Sequence, residues 1–324
     1  MTKLPTRRPQ TRSLAWPRAP MDRRAVLAAG AALAAAAAGL RVRAARAAAL
    51  DLGGAEITVL SDGHLMLPLG FIMPDIPRPD IDAFFAAHGG TPEAFTPDCN
   101  ITFCRVGDRF VVFDVGSGPN FMPTAGKLPA AMEEAGIDPE EVTDVVFTHA
   151  HPDHLWGVID DFDEPLFPNA TYRMGAGELD FWRSPETLAA MPEARKTFVV
   201  GAQSRLAAIE DRMETFDAGD EVVPGIEAVA THGHTPGHMS FMVHGASDSV
   251  LVVGDAISNV LVSFEKPDWH SGSDQDPAMG AATRTALLDR LAGDGPRIVG
   301  YHLPHPGQGR VERKDGAYRF APEA

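Results

Sequence analysis

Cysteine is scarce in this chain: two residues in 324, Cys99 and Cys104, five apart in the segment DCNITFC. That segment reads as one strand, which would hold the pair about 16 Å apart, too far for a mutual disulfide. Buried thiols are therefore expected. Long apolar runs are also missing. The Ala-rich stretch Val26 to Leu40 has about fifteen residues, short of the roughly 20 that a spanning helix needs, so no stable membrane span is expected. No G-x-S-x-G elbow occurs, which takes away the usual sign of a serine hydrolase. No repeat of solenoid period is visible, and no low-complexity tract interrupts the region after the first fifty residues.

Basic charge is the other deficit. Lys and Arg number 28 against 44 Asp and Glu, a net charge of −16. Much of that small basic complement lies at the start. Arg23-Arg24 precede the Ala-rich stretch, and Ala45-Arg46-Ala47 offers a small-x-small cleavage site. Residues 1–47 thus read as a twin-arginine-like export signal, with the Pro- and Arg-rich residues 1–20 upstream of a start at Met21. A periplasmic protein of residues 48–324, forming a single domain, is the expectation. Removing residues 1–47 takes away ten basic residues and one acid, leaving 18 against 43, a net charge of −25. Such a field repels polyanions, so nucleic acid is not expected as a substrate or partner. The composition leaves a homodimer open.

Short apolar runs ending in Gly or Asp recur at Ile57 to Leu60, Phe110 to Phe113, Val145 to Phe147, Val250 to Val253 and Ile298 to Val299. They read as buried strands. Helical patterns lie between them at Lys127 to Ala135, Glu178 to Trp182, Gln203 to Ile209 and Ala278 to Leu291, which makes the class α/β.

The chemistry concentrates where those strands end. THAHPDH, from Thr148 to His154, sets His149, His151, Asp153 and His154 within six residues directly after an apolar run. His149 and His151 can point to one side of the loop, and Asp153 and His154, at a helix start, to another, which is the spacing a two-metal site needs. Imidazole with carboxylate suits Zn, Fe, Mn or Co. GHTPGH with His234, VLVVGDA with Asp255 and VGYHLP with His302 repeat the arrangement of a ligand-type residue closing an apolar run. An isolated histidine is more often a surface or core residue than a ligand; four such segments in one chain are not a packing accident.

This series resembles the metallo-β-lactamase-fold hydrolases over residues 55 to 312. FDVGSG at Phe113 to Gly118, FPNATY at Phe167 to Tyr172, ELDFW at Glu178 to Trp182 and GYHLPHPGQG at Gly300 to Gly309 are most similar to the branch of methyl parathion hydrolase and its lactonase and arylesterase relatives. The resemblance implies a four-layer αββα sandwich with two divalent ions per chain, zinc first among the candidates. His149, His151 and His234 would hold one ion, and Asp153, His154 and His302 the other. Asp255 would bridge them. It also implies that Asp114 supports a ligating imidazole. His238, four residues after His234, reads as orienting the loop and not as a ligand. Gly116, Gly233 and Gly237 allow close backbone approach.

Two such ions share a water, bring its pKa to around 7 and present hydroxide as nucleophile, with Asp153 orienting it and passing a proton to the leaving group. The expected activity is hydrolysis of lactones, aryl esters or phosphotriesters. Alternatives on the same fold are a glutathione-thioester hydrolase, a β-lactamase, and a non-catalytic or redox protein. Diiron redox relatives carry Glu where His151 stands, and the basic cluster of the glutathione-dependent enzymes has no counterpart in Arg310, Arg313 and Lys314. Quorum-signal lactonases often carry a Tyr three residues after the bridging Asp; here that place is Ser258. Phe71, Phe121, Trp156, Trp182 and Trp269 are expected to line the pocket. With no cationic anchor evident, a neutral, hydrophobic substrate is the expectation.

Overall fold

Alternation along the strand Arg109–Phe113 decides the layering. Phe110 and Val112 point into one apolar cluster, shared with helix side chains such as Leu128, Met132, Leu179 and Leu206. Val111 and Phe113 point the other way, into a second cluster with Phe241, Val243, Val250 and Val252 from another sheet. A third cluster backs that other sheet: Leu251 and Ile298 meet Leu287, Leu288 and Leu291 of the helix Pro277–Leu291. Three stacked cores between four layers make the αββα sandwich expected from the sequence. Each fully buried Phe, Leu or Val in them contributes about 1.5–3 kcal/mol relative to exposure, before ordering entropy is counted.

The computed structural model describes residues 49–323 apart from Asp161 and Asp294. The export-signal reading of residues 1–47 falls outside the described residues. The first seven-stranded sheet runs Ala49–Asp51, Ala55–His64, Asp98–Val106, Arg109–Phe113, Asp144–Val146, Thr171–Gly175 and Met213–Phe216 in spatial order. It is antiparallel up to Arg109–Phe113 and parallel beyond. The second sheet takes its seven strands, from Glu221–Val223 to Ala317–Pro322, in chain order. Its one parallel pair is Ser249–Val252 with Arg297–Val299, the pair whose ends carry Asp255 and His302. Cys99 and Cys104 are both buried and unbridged on Asp98–Val106, as expected.

The expected strands and helices are present, with two marked shifts in extent: the strand expected over Ile57 to Leu60 runs Ala55–His64, and one helix is longer at its start. Helix Lys196–Ala208 starts seven residues before the expected Gln203. Phe198-Val199-Val200 has β-branched and aromatic character, and packing of Val199 and Ala202 in the first core overrides it. The segment 69–95 forms a satellite cluster in which Leu69, Met73, Ile81 and Phe85 pack with Phe95 and Trp269. No helix among the described residues is long and apolar enough to cross a membrane.

Candidate metal centre

Strand ends at one edge of the two sheets supply every residue of the expected centre. The loop after Asp144–Val146 carries His149 and His151, and the short helix Pro152–Leu155 carries Asp153 and His154. His234 follows Ile226–Ala230, Asp255 follows Ser249–Val252 and His302 follows Arg297–Val299. Carboxyl ends of strands are where open α/β sheets place their ligands, because the loops there are free of the ladder.

The seven side chains converge in two groups. His151 Nδ1 lies 3.0 Å from His149 Nε2 and 2.9 Å from His234 Nε2. Each contact can hold at most one proton, so three lone-pair nitrogens crowd one point. Tetrahedral zinc with nitrogens about 2.0–2.1 Å away would need them only slightly further apart. In the second group, His302 Nε2 is 3.2 Å from Asp153 Oδ2 and His154 Nε2 is 3.4 Å from the same oxygen. Asp255 stands between the groups: its Oδ2 is 3.3 Å from both His234 and His302 Nε2, and its Oδ1 is 3.1 Å from His154 Nε2. Asp153 Oδ2, His154 Nε2 and Asp255 Oδ1 are buried without a hydrogen-bond partner. Buried polar atoms with no partner are costly, and three aimed at one space fit a cation there.

Electrostatics make the same demand. Burial pushes His149 and His151 well below the ordinary imidazole range, and their histidine neighbours add to it. Burial acts the same way on His154 and His302, but Asp255 and Asp153 beside both, with Asp114 on His154, together outweigh it and hold them well above that range. Asp255 is buried too, yet His302, His154 and His234 keep its carboxyl well below the ordinary value. Without metal, the two carboxylates recruit protons on His154 and His302 as countercharge; divalent ions supply that charge directly.

The supporting residues fix which nitrogens face inward. Asp114 accepts from the backbone N–H and hydroxyl of Thr148 and from His154 Nδ1, each at 2.8 Å. It does so from a left-handed φ of 59°, which its three bonds hold in place. His238 lies behind the cluster, as expected of a loop-orienting residue: its Nε2 accepts from the Asp255 N–H at 3.0 Å, and its Nδ1 meets Thr231 Oγ1 at 2.8 Å. His234 Nδ1 donates to Asp274 Oδ1 at 2.9 Å and His302 Nδ1 to the Asp98 carbonyl at 2.8 Å. Each such bond fixes the tautomer and leaves the other nitrogen free for the cluster.

Several of these supports were not legible in the sequence. Glu178 is buried and accepts from Ala150 N, Trp182 Nε1, Thr235 Oγ1 and Gly237 N at 2.6–3.0 Å. Burial pushes its carboxyl up against the pull of those four bonds. Gly237 is required beside it, since a Cβ there would come within 2.3 Å of the Glu178 backbone nitrogen. Asp274 sits 40 residues from its partner His234, with no spacing to announce it. Tyr301 stacks on His154 with ring centroids 3.8 Å apart and donates to the Asp153 carbonyl at 2.5 Å. Asp62 gathers the N–H groups of Ser117, Gly126 and Leu128. Like Asp114 it closes an apolar run, and that position was a usable signal.

A pocket opens on the centre at His151, Asp153, His234, Asp255 and His302, with Phe71, Ile72, Phe95, Phe121 and Phe198 among its apolar walls. Phe71 and Phe121 are where the sequence placed them; the three tryptophans are not. Trp156 packs edge-on against Phe121 behind the wall, with Arg205 over its ring. Trp182 is fully buried, donates to Glu178 and meets His151 edge-on at 5.6 Å. Trp269 packs on Phe84 in the satellite cluster and lines a separate groove. Nor does the pocket lack a cation, because Arg195 forms part of its wall together with Ser258.

Residues 96–302, more than half of the chain, match the family model of the metallo-beta-lactamase superfamily, and the chain belongs to that superfamily. Among curated proteins it is 31% identical over 117 residues to the N-acyl homoserine lactonase AttM of Azorhizobium caulinodans, covering 35% of this chain and 40% of that protein. It is 28% identical to metallo-beta-lactamase domain-containing protein 1 of Xenopus laevis, over 50% of this chain and 55% of that protein. The chain thus spans between two fifths and somewhat over half the length of these curated relatives. Among solved structures, AidC, described as a dizinc quorum-quenching lactonase, superimposes with a TM-score of 0.80 at 26% identity, covering 86% of this chain and 98% of that one. The hydrolase AbOPH gives 0.79 at 27% identity, with the same coverage.

Proposed function

We propose that this protein is a dinuclear metal-dependent hydrolase whose main reaction is the opening of lactones, with aryl esters as secondary substrates and phosphotriesters weaker. The observation that carries this reading is the Asp255 carboxylate, set between two ligand groups at the floor of an apolar pocket. The likeness to a dizinc lactonase over nearly its whole length supports it. His149, His151 and His234 would hold one ion, Asp153, His154 and His302 the other, and zinc is the metal we propose. Bound there, the pair supplies a Lewis acid for the scissile carbonyl and an activated water.

The chain's own residues do the rest. Phe71, Ile72 and Phe121 exclude water and hold the alkyl part of the substrate against the centre. Water adds to the carbonyl carbon, and the Asp153 carboxylate, which lines the pocket, takes the proton that the water gives up. The ring C–O bond then breaks, and Asp153 returns that proton to the leaving oxygen, so one molecule carries both the new alcohol and the new carboxylic acid, which releases its remaining proton to solvent. A panel of a lactone, an aryl ester, a phosphotriester and a β-lactam, assayed with the metal-loaded protein, tests the order. The lactone should give the highest kcat/KM; a β-lactam turned over more than about tenfold better than every lactone and aryl ester overturns the reading, that ratio being roughly 1.4 kcal/mol of transition-state binding.

The location we propose is the periplasm, on the support of Arg23-Arg24, the Ala-rich stretch and the Ala45-Arg46-Ala47 site. Intact-mass measurement of protein taken from its host should find a chain starting near Ala48. Recovery of the uncut chain from the cytoplasm would end this part of the proposal.

A further inference from the structure

Arg195 is the one Arg or Lys side chain on the wall of the metal pocket among the described residues. Arg173, Arg284 and Arg297 are matched to Asp144, Asp274 and Asp248, whereas Arg205 and Arg212, which form no ion pair among the described residues, lie over the Trp156 and Tyr172 rings and off the metal pocket. Among the described residues no carboxylate comes within ion-pair distance of Arg195. One of its nitrogens donates to the Gly272 carbonyl, and its guanidinium lies over the Phe71 ring at 5.4 Å. These two contacts hold the planar group between two pocket loops and leave most of its five N–H donors without a protein acceptor, open to the pocket. Burial lowers its pKa, and the more distant charge of Asp274 offsets this only in part. A half-buried guanidinium on an apolar wall turns its remaining donors to the open side of the pocket, which is where a substrate lies.

We propose that Arg195 is a specificity-determining residue that binds a planar oxygen acceptor, an amide carbonyl or a carboxylate, carried by the substrate beyond the scissile ester. The proposal rests on the lactone reading above and deepens it: the preferred lactone bears a polar group between its ring and its apolar tail. Phe71 serves both ends of that substrate, as a wall for the tail and as the surface on which the guanidinium is laid. A purely structural Arg195, clamping the Phe71 and Gly272 loops, would instead matter equally for every substrate.

Three γ-lactones separate these roles: one with a plain alkyl tail, one with an acylamino group on the ring and one with a carboxylate on the tail. They are assayed with the wild type, Arg195→Met and Arg195→Lys, each loaded with zinc and checked for an unchanged melting temperature. Arg195→Met should lower kcat/KM for the acylamino or the carboxylate lactone by on the order of 10- to 100-fold, the loss of a charged hydrogen bond, and leave the alkyl lactone within about twofold. Arg195→Lys should recover part of the loss. Whichever polar lactone falls further identifies the acceptor. An equal fall on all three substrates, or no fall on any, overturns the role of Arg195 while the lactone reading stands. A wild type inert on every lactone overturns both.

Discussion

Asp255→Ala should reduce the metal content from about two divalent ions per chain to about one and lower kcat for the best lactone by at least about 10³-fold, since a bound ion contributes several kcal/mol to the transition state. Asp255 is singled out by position. Its two oxygens face His154, His234 and His302 at 3.1–3.3 Å, so it is the one carboxylate that touches both ligand groups. Removing it would take a ligand from each of the two proposed ions at once and would remove the strongest of the charges that raise His154 and His302. Elemental analysis of the purified variant and steady-state kinetics check the two parts separately. Full two-ion occupancy at an unchanged rate would remove the bridging role.

The seven converging side chains were legible because each sits at the same kind of place: an apolar run closes and a His or Asp opens the loop. That pattern is local, and a strand end is a physical constraint that sequence displays directly. The pocket was not legible for the opposite reason. Trp156, Trp182 and Trp269 are large, apolar and close in sequence to loops, but which way a ring points is settled by packing from distant segments. Trp182 turns inward because Glu178, one helical turn earlier, offers its indole N–H an acceptor. Arg195 reaches the pocket from a 3₁₀ turn before the helix Lys196–Ala208, far in sequence from every metal-site motif, so no spacing rule places it there. The same limit applies to Asp274. A support that acts across 40 residues leaves no periodic trace, although the histidine it serves advertises a need for one.

Glu178 carries the second large expectation, and it concerns how the loops are held. Oε1 accepts from Ala150 N, between His149 and His151, and from Trp182. Oε2 accepts from Thr235 and from Gly237 N, on the loop that carries His234. One buried carboxylate thus ties both loops of the first ion to the helix Ala176–Arg183. Glu178→Ala would leave four donors facing an apolar void, at a cost of about 4 kcal/mol or more when each buried orphan costs about 1–3 kcal/mol. Glu178→Gln keeps the shape and one acceptor oxygen. If its amide nitrogen takes the Oε2 place, Thr235 can turn its hydroxyl to accept, but the Gly237 N–H then meets another donor. One orphan instead of four predicts about 2 kcal/mol, a fall in Tm of roughly 4–8 °C for a domain of this size. Thermal melting of the metal-free proteins reads these costs without the centre's own contribution, and metal titration of the folded variants should show weaker binding of the first ion. If Glu178→Ala melts with the wild type and binds metal equally well, the four bonds do not hold the loops, and the order of the His149–His151 segment must come from Asp114 and Thr148 alone.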